Sequence, residues 1–320
     1  MSPVVQLVAD DRTALIDQGQ VPPPADWASR AVYRGEAGAK NWLAVVEEPG
    51  YPLRHPDRLG VWERRRDAVR RLNVGTLVSL GPGDGISDLE LLAALSGECE
   101  GGLRERGVKY IPVDISRALL ETAIAAIQPR HDVPVAVQCD FEEGQEFLRR
   151  ALDRWAAPPL LFALLGGTLG NLDKGELSFF EGLRILMRAE DAILVDVPLA
   201  GPAWTPENDP RLRPEGYTPV FRRFLGTALT PRVSAAGRPA ECPFEEEVAF
   251  TLRHDDDTGA EVITVCDLLD GHALLRFRRY YWQPALRWFE DHGFAMQFAW
   301  CSLASDQDSF GMGVVLLRLR

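Results

Sequence analysis

The sequence predicts an α/β fold organised on a mostly parallel sheet. Short apolar runs alternate with helical stretches, the first run closes on the glycine turn Gly81-Pro82-Gly83-Asp84-Gly85, and acids stop the next two. Runs of this length, bounded by glycine or an acid, suit strands buried on both faces. Gly75 to Leu80 is the first strand, followed by a helix over 88–95. Val108 to Val113 is the second and stops at Asp114; Ser116 then caps an amphipathic helix that runs to Ile127. Val133 to Gln138, Leu160 to Leu165 and Ala192 to Val197 are the third to fifth strands, with a helix over 176–187 before the last. Such alternation implies right-handed crossovers.

On either side of this block the texture differs. Val21-Pro22-Pro23-Pro24 breaks any helix there. A short helix is expected over 41–48 and a charged one over 57–72. After Pro198 the chain is rich in proline and glycine to about residue 243, and antiparallel strands are expected over 244–253, 261–267 and 275–281. A helix from Pro284 to His292 and strands over 294–300 and 311–319 would complete a seven-stranded sheet. The expected division is a main domain of residues 60–198 and 284–320, and a smaller α+β lid domain of residues 1–59 and 199–283.

Composition excludes several function classes. The formal net charge is -12 over 320 residues. Nucleic-acid affinity rests on Lys and Arg neutralising phosphates, so no nucleic-acid partner is expected; Arg64-Arg65-Arg66 with Arg70-Arg71 reads as a solvated helix face. No stretch approaches the roughly 18 apolar residues of a membrane helix, and the acidic start MSPVVQLVADD is not a signal peptide. Cys99, Cys139, Cys242, Cys266 and Cys301 are scattered without a CxxC pair, as expected in a reducing cytoplasm. His55, His131, His254, His272 and His292 show no metal spacing, so no metal is expected.

A glycine turn after a first strand lets a ligand approach the backbone, and the next helix offers free N–H groups. Gly81, Gly83 and Gly85 supply the turn, with Ser87 at the head of the helix. Asp114 is placed to accept both ribose hydroxyls of a nucleoside. Asp140 can accept from an adenine amino group, and Phe141 can stack on the ring. The alternative ligand is NAD, whose fingerprint is G-x-G-x-x-G with an acid about 20 residues on. Here residue 86 is Ile and Asp114 comes late, so the G-x-G-x-G form favours S-adenosylmethionine (SAM). Ser79 is a departure, since many SAM enzymes carry an acid there.

Gly166-Gly167-Thr168-Leu169-Gly170-Asn171-Leu172, together with LVSLGPGDG, YIPVDIS and CDFE, resembles the histidine-specific methyltransferase family, in matching order from about residue 30 to 200. The resemblance implies a class I SAM-methyltransferase, with a Rossmann-like seven-stranded sheet and a second, substrate-binding domain. It implies that Tyr33 and Tyr51 line the cofactor and substrate sites, and that Asn171, with Gly166 and Thr168 of its segment, holds the amino-acid head of the substrate. Asn171 also has a reading of its own. It lies just past a strand's carboxyl end, where ligands bind in open sheets, and its amide both donates and accepts; the alternative is a helix N-cap.

The departures concern the substrate side chain. Histidine binders of the family grip the imidazole with a Glu and a Ser, two apart on a late strand; here Phe277 and Arg279 stand near that place, and neither can do so. Tyr217 is the nearest match to a second head-group tyrosine. The expected function is N-methylation of a small free amino acid or related amine in biosynthesis, with arginine's guanidino group or the histidine α-amine as specific options. The acceptor must present a neutral lone pair, so a nearby acid is sought. Glu246, pointing opposite to Glu245 and Glu247 on a strand, and Asp196, ending the fifth strand, are the candidates. Their alternatives are a solvated edge strand and a structural hydrogen bond. Trp282, Trp288 and Trp300 read as core, though an aromatic cage would suit a cation. The rival readings are an NAD-dependent oxidoreductase and a SAM-binding partner subunit without catalysis.

Overall fold

Successive residues of the central strands face opposite sides of one sheet, and each side meets its own apolar cluster. Leu77, Leu161, Ala163, Leu194 and Val314 join one cluster, whereas Val78, Phe162, Leu164, Ile193, Val195 and Val315 join the other. This period of two, apolar on both faces, is what a sheet covered by helices on both sides requires. The computed structural model describes residues 5–48, 60–97, 107–209, 212, 218–236, 248–268 and 271–320, with side chains of 219–236 described to Ala228.

The parallel strands are β2 (Thr76–Leu80), β3 (Lys109–Asp114), β4 (Val135–Gln138), β5 (Leu160–Leu164) and β6 (Ala192–Ala200), after a short β1 (Gln6–Ala9). The later strands are β7 (Val248–Asp255), β8 (Ala260–Asp267), β9 (Ala273–Tyr280), β10 (Phe294–Cys301) and β11 (Phe310–Leu319). Seven strands run β4-β3-β2-β5-β6-β11-β10, with β11 antiparallel to its neighbours. This is the class I methyltransferase arrangement, an α/β Rossmann-like fold. The strand order reverses between β2 and β5, which opens a crevice at their carboxyl ends.

The described helices are α1 (Asp11–Asp17), α2 (Gly35–Glu47), α3 (Val61–Val69), α4 (Ile86–Ser96), α5 (Arg117–Ile127), α6 (Gln145–Trp155), α7 (Glu176–Leu186), α8 (Pro219–Ala236) and α9 (Trp282–Asp291). α3 and α4 cover one face of the sheet; α6, α7 and α9 cover the other. No described helix is long and apolar enough to cross a membrane.

Two additions extend the seven strands, and among the described residues the sheet counts eleven strands. β1 pairs parallel with β4, so residues 6–9 lie in the central sheet, whereas the sequence division put them with the lid. The meander β7-β8-β9 springs from the far end of β6 through Leu199 and Tyr280. β8 and β9 form a third apolar cluster with Phe224 and Leu225 of α8 and with Val32 and Val45 of the N-terminal segment. α8 lies in the stretch that proline and glycine content marked as irregular. Thr218 starts it by accepting from the Phe221 N–H at 3.1 Å, with Pro219 in the first turn.

Asp196, expected at a strand end, lies inside β6, which runs on to Ala200, and holds the frame. Asp196 is fully buried on β6, where Arg65 of α3 donates from Nε to one oxygen at 3.0 Å and from Nη2 to the other. Asp196 also accepts from the Gly166 N–H at 2.7 Å. It is therefore a structural tie and not the substrate-facing acid that its position suggested. Replacing Asp196 with alanine leaves the Arg65 guanidinium buried and unpaired, at about 3–5 kcal/mol. Urea unfolding should show a lower midpoint at unchanged slope; a stability within about 0.5 kcal/mol of the parent would contradict this role.

Candidate active site

The crevice is a cleft of about 510 Å³, and the glycine turn forms its floor. Gly81, Gly83 and Gly85 all have positive φ, at 74°, 60° and 77°, which L side chains rarely adopt. Gly81 and Gly83 line the cleft. Gly85 does not; it caps α4, and a Cβ there would stand 3.0 Å from the Ala123 Cα of α5. Its role is close helix packing. Ser87 lines the cleft and meets Arg65 Nη1 at 3.2 Å, so Arg65 links it to Asp196.

Asp114 lines the cleft at the end of β3. One of its oxygens accepts from the Ser116 N–H at 2.8 Å. Burial is the main cause that pushes its carboxyl up to about 7, with the charge of Asp17 adding to it. Asp17 holds this corner together. It accepts from Gly35 N–H at 2.7 Å, from Arg117 N–H at 3.1 Å and from Gln138 Nε2 at 3.0 Å, which ties α1 to the starts of α2 and α5 and to the end of β4.

Asp140 and Phe141 line the cleft beyond β4. The Phe141 ring stands edge-on to Phe179, centroids 6.0 Å apart. Asp140 is held in an ion pair by Arg30, a residue for which the sequence carried no signal. Arg30 Nε donates to Asp173 at 3.0 Å and lies 3.6 Å from Glu142. Burial raises the carboxyl of Glu142 to about 7 and that of Asp140 above its usual value, and the Arg30 charge opposes both shifts.

Beyond β5, Gly166, Thr168 and Asn171 line the cleft. Thr168 donates to the Leu165 carbonyl at 2.8 Å, and its side chain stands 3.5 Å from where a Gly81 Cβ would be. Asn171 ends the 3-10 turn Thr168–Asn171; α7 starts later, with Gly175 in the capping position. The N-cap alternative for Asn171 thus falls, and its amide bonds to no described residue.

Aromatic groups from the N-terminal segment face the glycine turn. Tyr33 and Trp42 line the cleft, with their rings edge-on at 5.4 Å. Trp42 Nε1 would stand 3.5 Å from a Cβ at Gly83. Trp62 and Arg66 of α3 line the cleft as well. The tail tryptophans do not: Trp288 is buried in the core, and Trp282 and Trp300 pack against it. Phe277 and Arg279 also lie off the cleft, both buried, with Arg279 paired to Asp209 at 3.2 Å. Tyr51, Tyr217 and Glu246 fall outside the described residues.

A family described as histidine-specific methyltransferase, SAM-dependent, matches residues 23–201, more than half of the chain. The chain belongs to that family. It is a SAM-dependent methyltransferase, and SAM is its cofactor. Similar solved structures include the CcbJ methyltransferase of Streptomyces caelestis, at 16% identity and TM-score 0.42, covering 86% of this chain and 100% of that one. A putative methyltransferase of Thermobifida fusca YX matches at 11% identity and TM-score 0.46, covering 93% and 98%. A SAM-dependent methyltransferase of Anabaena variabilis matches at 13% and 0.43, covering 89% and 94%. The curated proteins hold no match.

The residues present suit the methyltransferase's cofactor. The turn gives backbone access, Asp114 brings to the cleft a carboxylate held by backbone N–H groups, and Ile115, Leu119 and Phe141 give apolar walls between the β3 and β4 ends. When bound, SAM supplies a methyl group on a cationic sulfur. A ribose hydroxyl donated to Asp114 would favour its ionised form, so the carboxyl would titrate lower in the complex. Affinity is then full above about pH 7, the value at which burial places the free carboxyl. It falls as pH drops below that, by up to about tenfold per unit. Calorimetry with S-adenosylhomocysteine (SAH) from pH 5.5 to 8.5 should show this slope, and Asp114→Asn should remove it. A slope that survives the substitution would assign the proton elsewhere.

Proposed function

We propose that this methyltransferase transfers the methyl group to a nitrogen of a small free amino acid or related amine. The observation that supports the reading most is the Asn171 amide, unbonded by the described residues, on the cleft wall beyond β5. An amide at this place offers an acceptor to an ammonium or amine and donors to a carboxylate, the two groups of an amino-acid head. Asp114 would hold the ribose and Asp140 with Phe141 the adenine; Gly81 and Gly83 would let the methionine part approach the turn, with Tyr33 beside it. This leaves the methyl group facing the Asn171 side.

The acceptor nitrogen must arrive neutral. Its lone pair forms the new N–C bond while the C–S bond breaks, and the pair stays on sulfur as SAH. The protein's contribution is to hold acceptor and methyl in line. Asp84, Asp88, Glu90 and Glu142 give the cleft an acidic lining that suits cationic ligands. The N-terminal segment and the 199–283 insertion, which share the third apolar cluster, would act as the lid and substrate domain.

The family's description favours histidine as one option. Phe277 and Arg279, buried off the cleft, favour a different side chain. A screen of free amino acids and small amines with SAM, read by SAH release and product mass, decides between them; strong preference for histidine would overturn the reading of β9. Asn171→Ala should raise KM for the preferred amine roughly 10- to 100-fold, the equivalent of losing a hydrogen bond to a charged group, with SAH affinity unchanged. An equal loss of SAH affinity would place Asn171 on the cofactor instead.

A further inference from the structure

Arg30 is a cleft residue with an unused donor. It is 6% exposed. Its Nε serves Asp173 and its Nη1 serves Asp140, yet its Nη2 meets no acceptor among the described residues. A buried donor left unpaired costs about 1–3 kcal/mol, and more when charged. Such a group calls for a partner, which a bound ligand can supply. The Arg30 guanidinium lies over the Trp27 ring, 4.8 Å from its centroid. Trp27 packs with Ile115, the cleft residue after Asp114. Arg30 therefore sits between the ends of β3 and β4, beside the apolar walls of the cleft.

The Asp140–Arg30 pair presents two kinds of group side by side. Asp140 is an acceptor: one oxygen takes the Glu142 N–H at 2.9 Å, the other takes Arg30 Nη1, and each keeps a lone pair. Arg30 Nη2 is a donor. Adenine shows the complementary pattern, an amino group flanked by ring nitrogens that accept. We propose that Arg30 is a specificity residue for the cofactor's base: its Nη2 donates to a ring nitrogen beside the adenine amino group, while Asp140 accepts from that amino group. The proposal rests on the reading that places adenine at Asp140 and Phe141. Glu142 and Asp173 then have a further purpose, since they balance the Arg30 charge and fix its plane. Arg30 fits this task better than lysine, because its rigid fork serves two carboxylates and still presents a third nitrogen.

The test compares ligands as well as variants. SAH, 1-deaza-SAH and 7-deaza-SAH, each deaza compound lacking one ring acceptor beside the amino group, are titrated into the parent protein and into Arg30→Lys. Lysine keeps the positive charge among the acids but cannot supply Nη2. One deaza ligand should bind the parent at least tenfold more weakly than SAH, and that penalty should vanish in Arg30→Lys. If Arg30 only braces the fold, the variant weakens all three ligands by one common factor, and the proposal is overturned. Should Arg30→Lys fail to fold, a crystal structure of the parent with SAH decides: Nη2 within about 3.2 Å of a ring nitrogen supports the proposal, and any other partner for Nη2 refutes it. The underlying reading has its own check. If Asp140→Ala leaves SAH affinity unchanged, adenine does not lie there at all; if affinity falls but the deaza penalties are untouched by Arg30→Lys, the Arg30 proposal alone fails.

Discussion

The cleft depends on one carboxylate that never reaches it. Asp173, in the loop after β5, accepts from the backbone N–H groups of Ala28, Ser29 and Arg30 at 2.9–3.2 Å, and from Arg30 Nε at 3.0 Å. Glu142, beyond β4, extends the tie by accepting from the N–H groups of Asp173 and Lys174 at 3.1 and 2.8 Å. Three segments far apart in sequence thus share one charged knot. The sheet alone gives an open crevice between β3, β2 and β5. The knot fastens the N-terminal segment above it and so places Tyr33, Trp42 and Arg30 on the wall.

The acids carried on the strands divide their work. Asp114 ends β3 whereas Asp196 lies in the middle of β6, and of the two only Asp114 lines the cleft. Asp196 has Arg65 across it on both oxygens. Buried charges of this kind persist only when paired. Beneath the glycine turn, Ser79 stands where an acid was expected. Asp88 of α4 lines the cleft close by, bonded to Ser79 and to Tyr110 at 2.6 Å. Burial pushes the Asp88 carboxyl up to about 6. The acidic group under the turn thus comes from the helix instead of the strand.

Much of the frame was legible because buried parallel strands are unbroken apolar runs. Seven of the eleven described strands pair into the expected sheet, within a few residues of the expected limits. β1 carries no strand signal because it is four half-exposed residues without alternation. α6, absent from the expected elements, carries a helical pattern in Phe147, Leu148, Ala151, Leu152 and Trp155. α8 was hidden by the proline and glycine around it, although Thr218-Pro219 is a helix start. In the site, residues of contiguous motifs were legible: Gly81, Gly83, Ser87, Asp114, Asp140, Phe141, Thr168 and Asn171 all reach one cleft. Arg30 was not, since its partners Asp140 and Asp173 stand 110 and 143 positions away. Nothing local to Arg30 distinguishes it from the other arginines.

The knot is tested most directly by the SAH affinity of Asp173→Ala, measured by calorimetry on protein whose far-UV circular dichroism matches the parent. Asp173 is not on the cleft wall, so its loss removes no ligand contact. If it holds the N-terminal wall in place, affinity should fall roughly 10- to 100-fold, the scale of removing a buried charge-assisted tie. An affinity equal to that of the parent would show that the cleft is complete without the knot and would contradict this account of how the site is built.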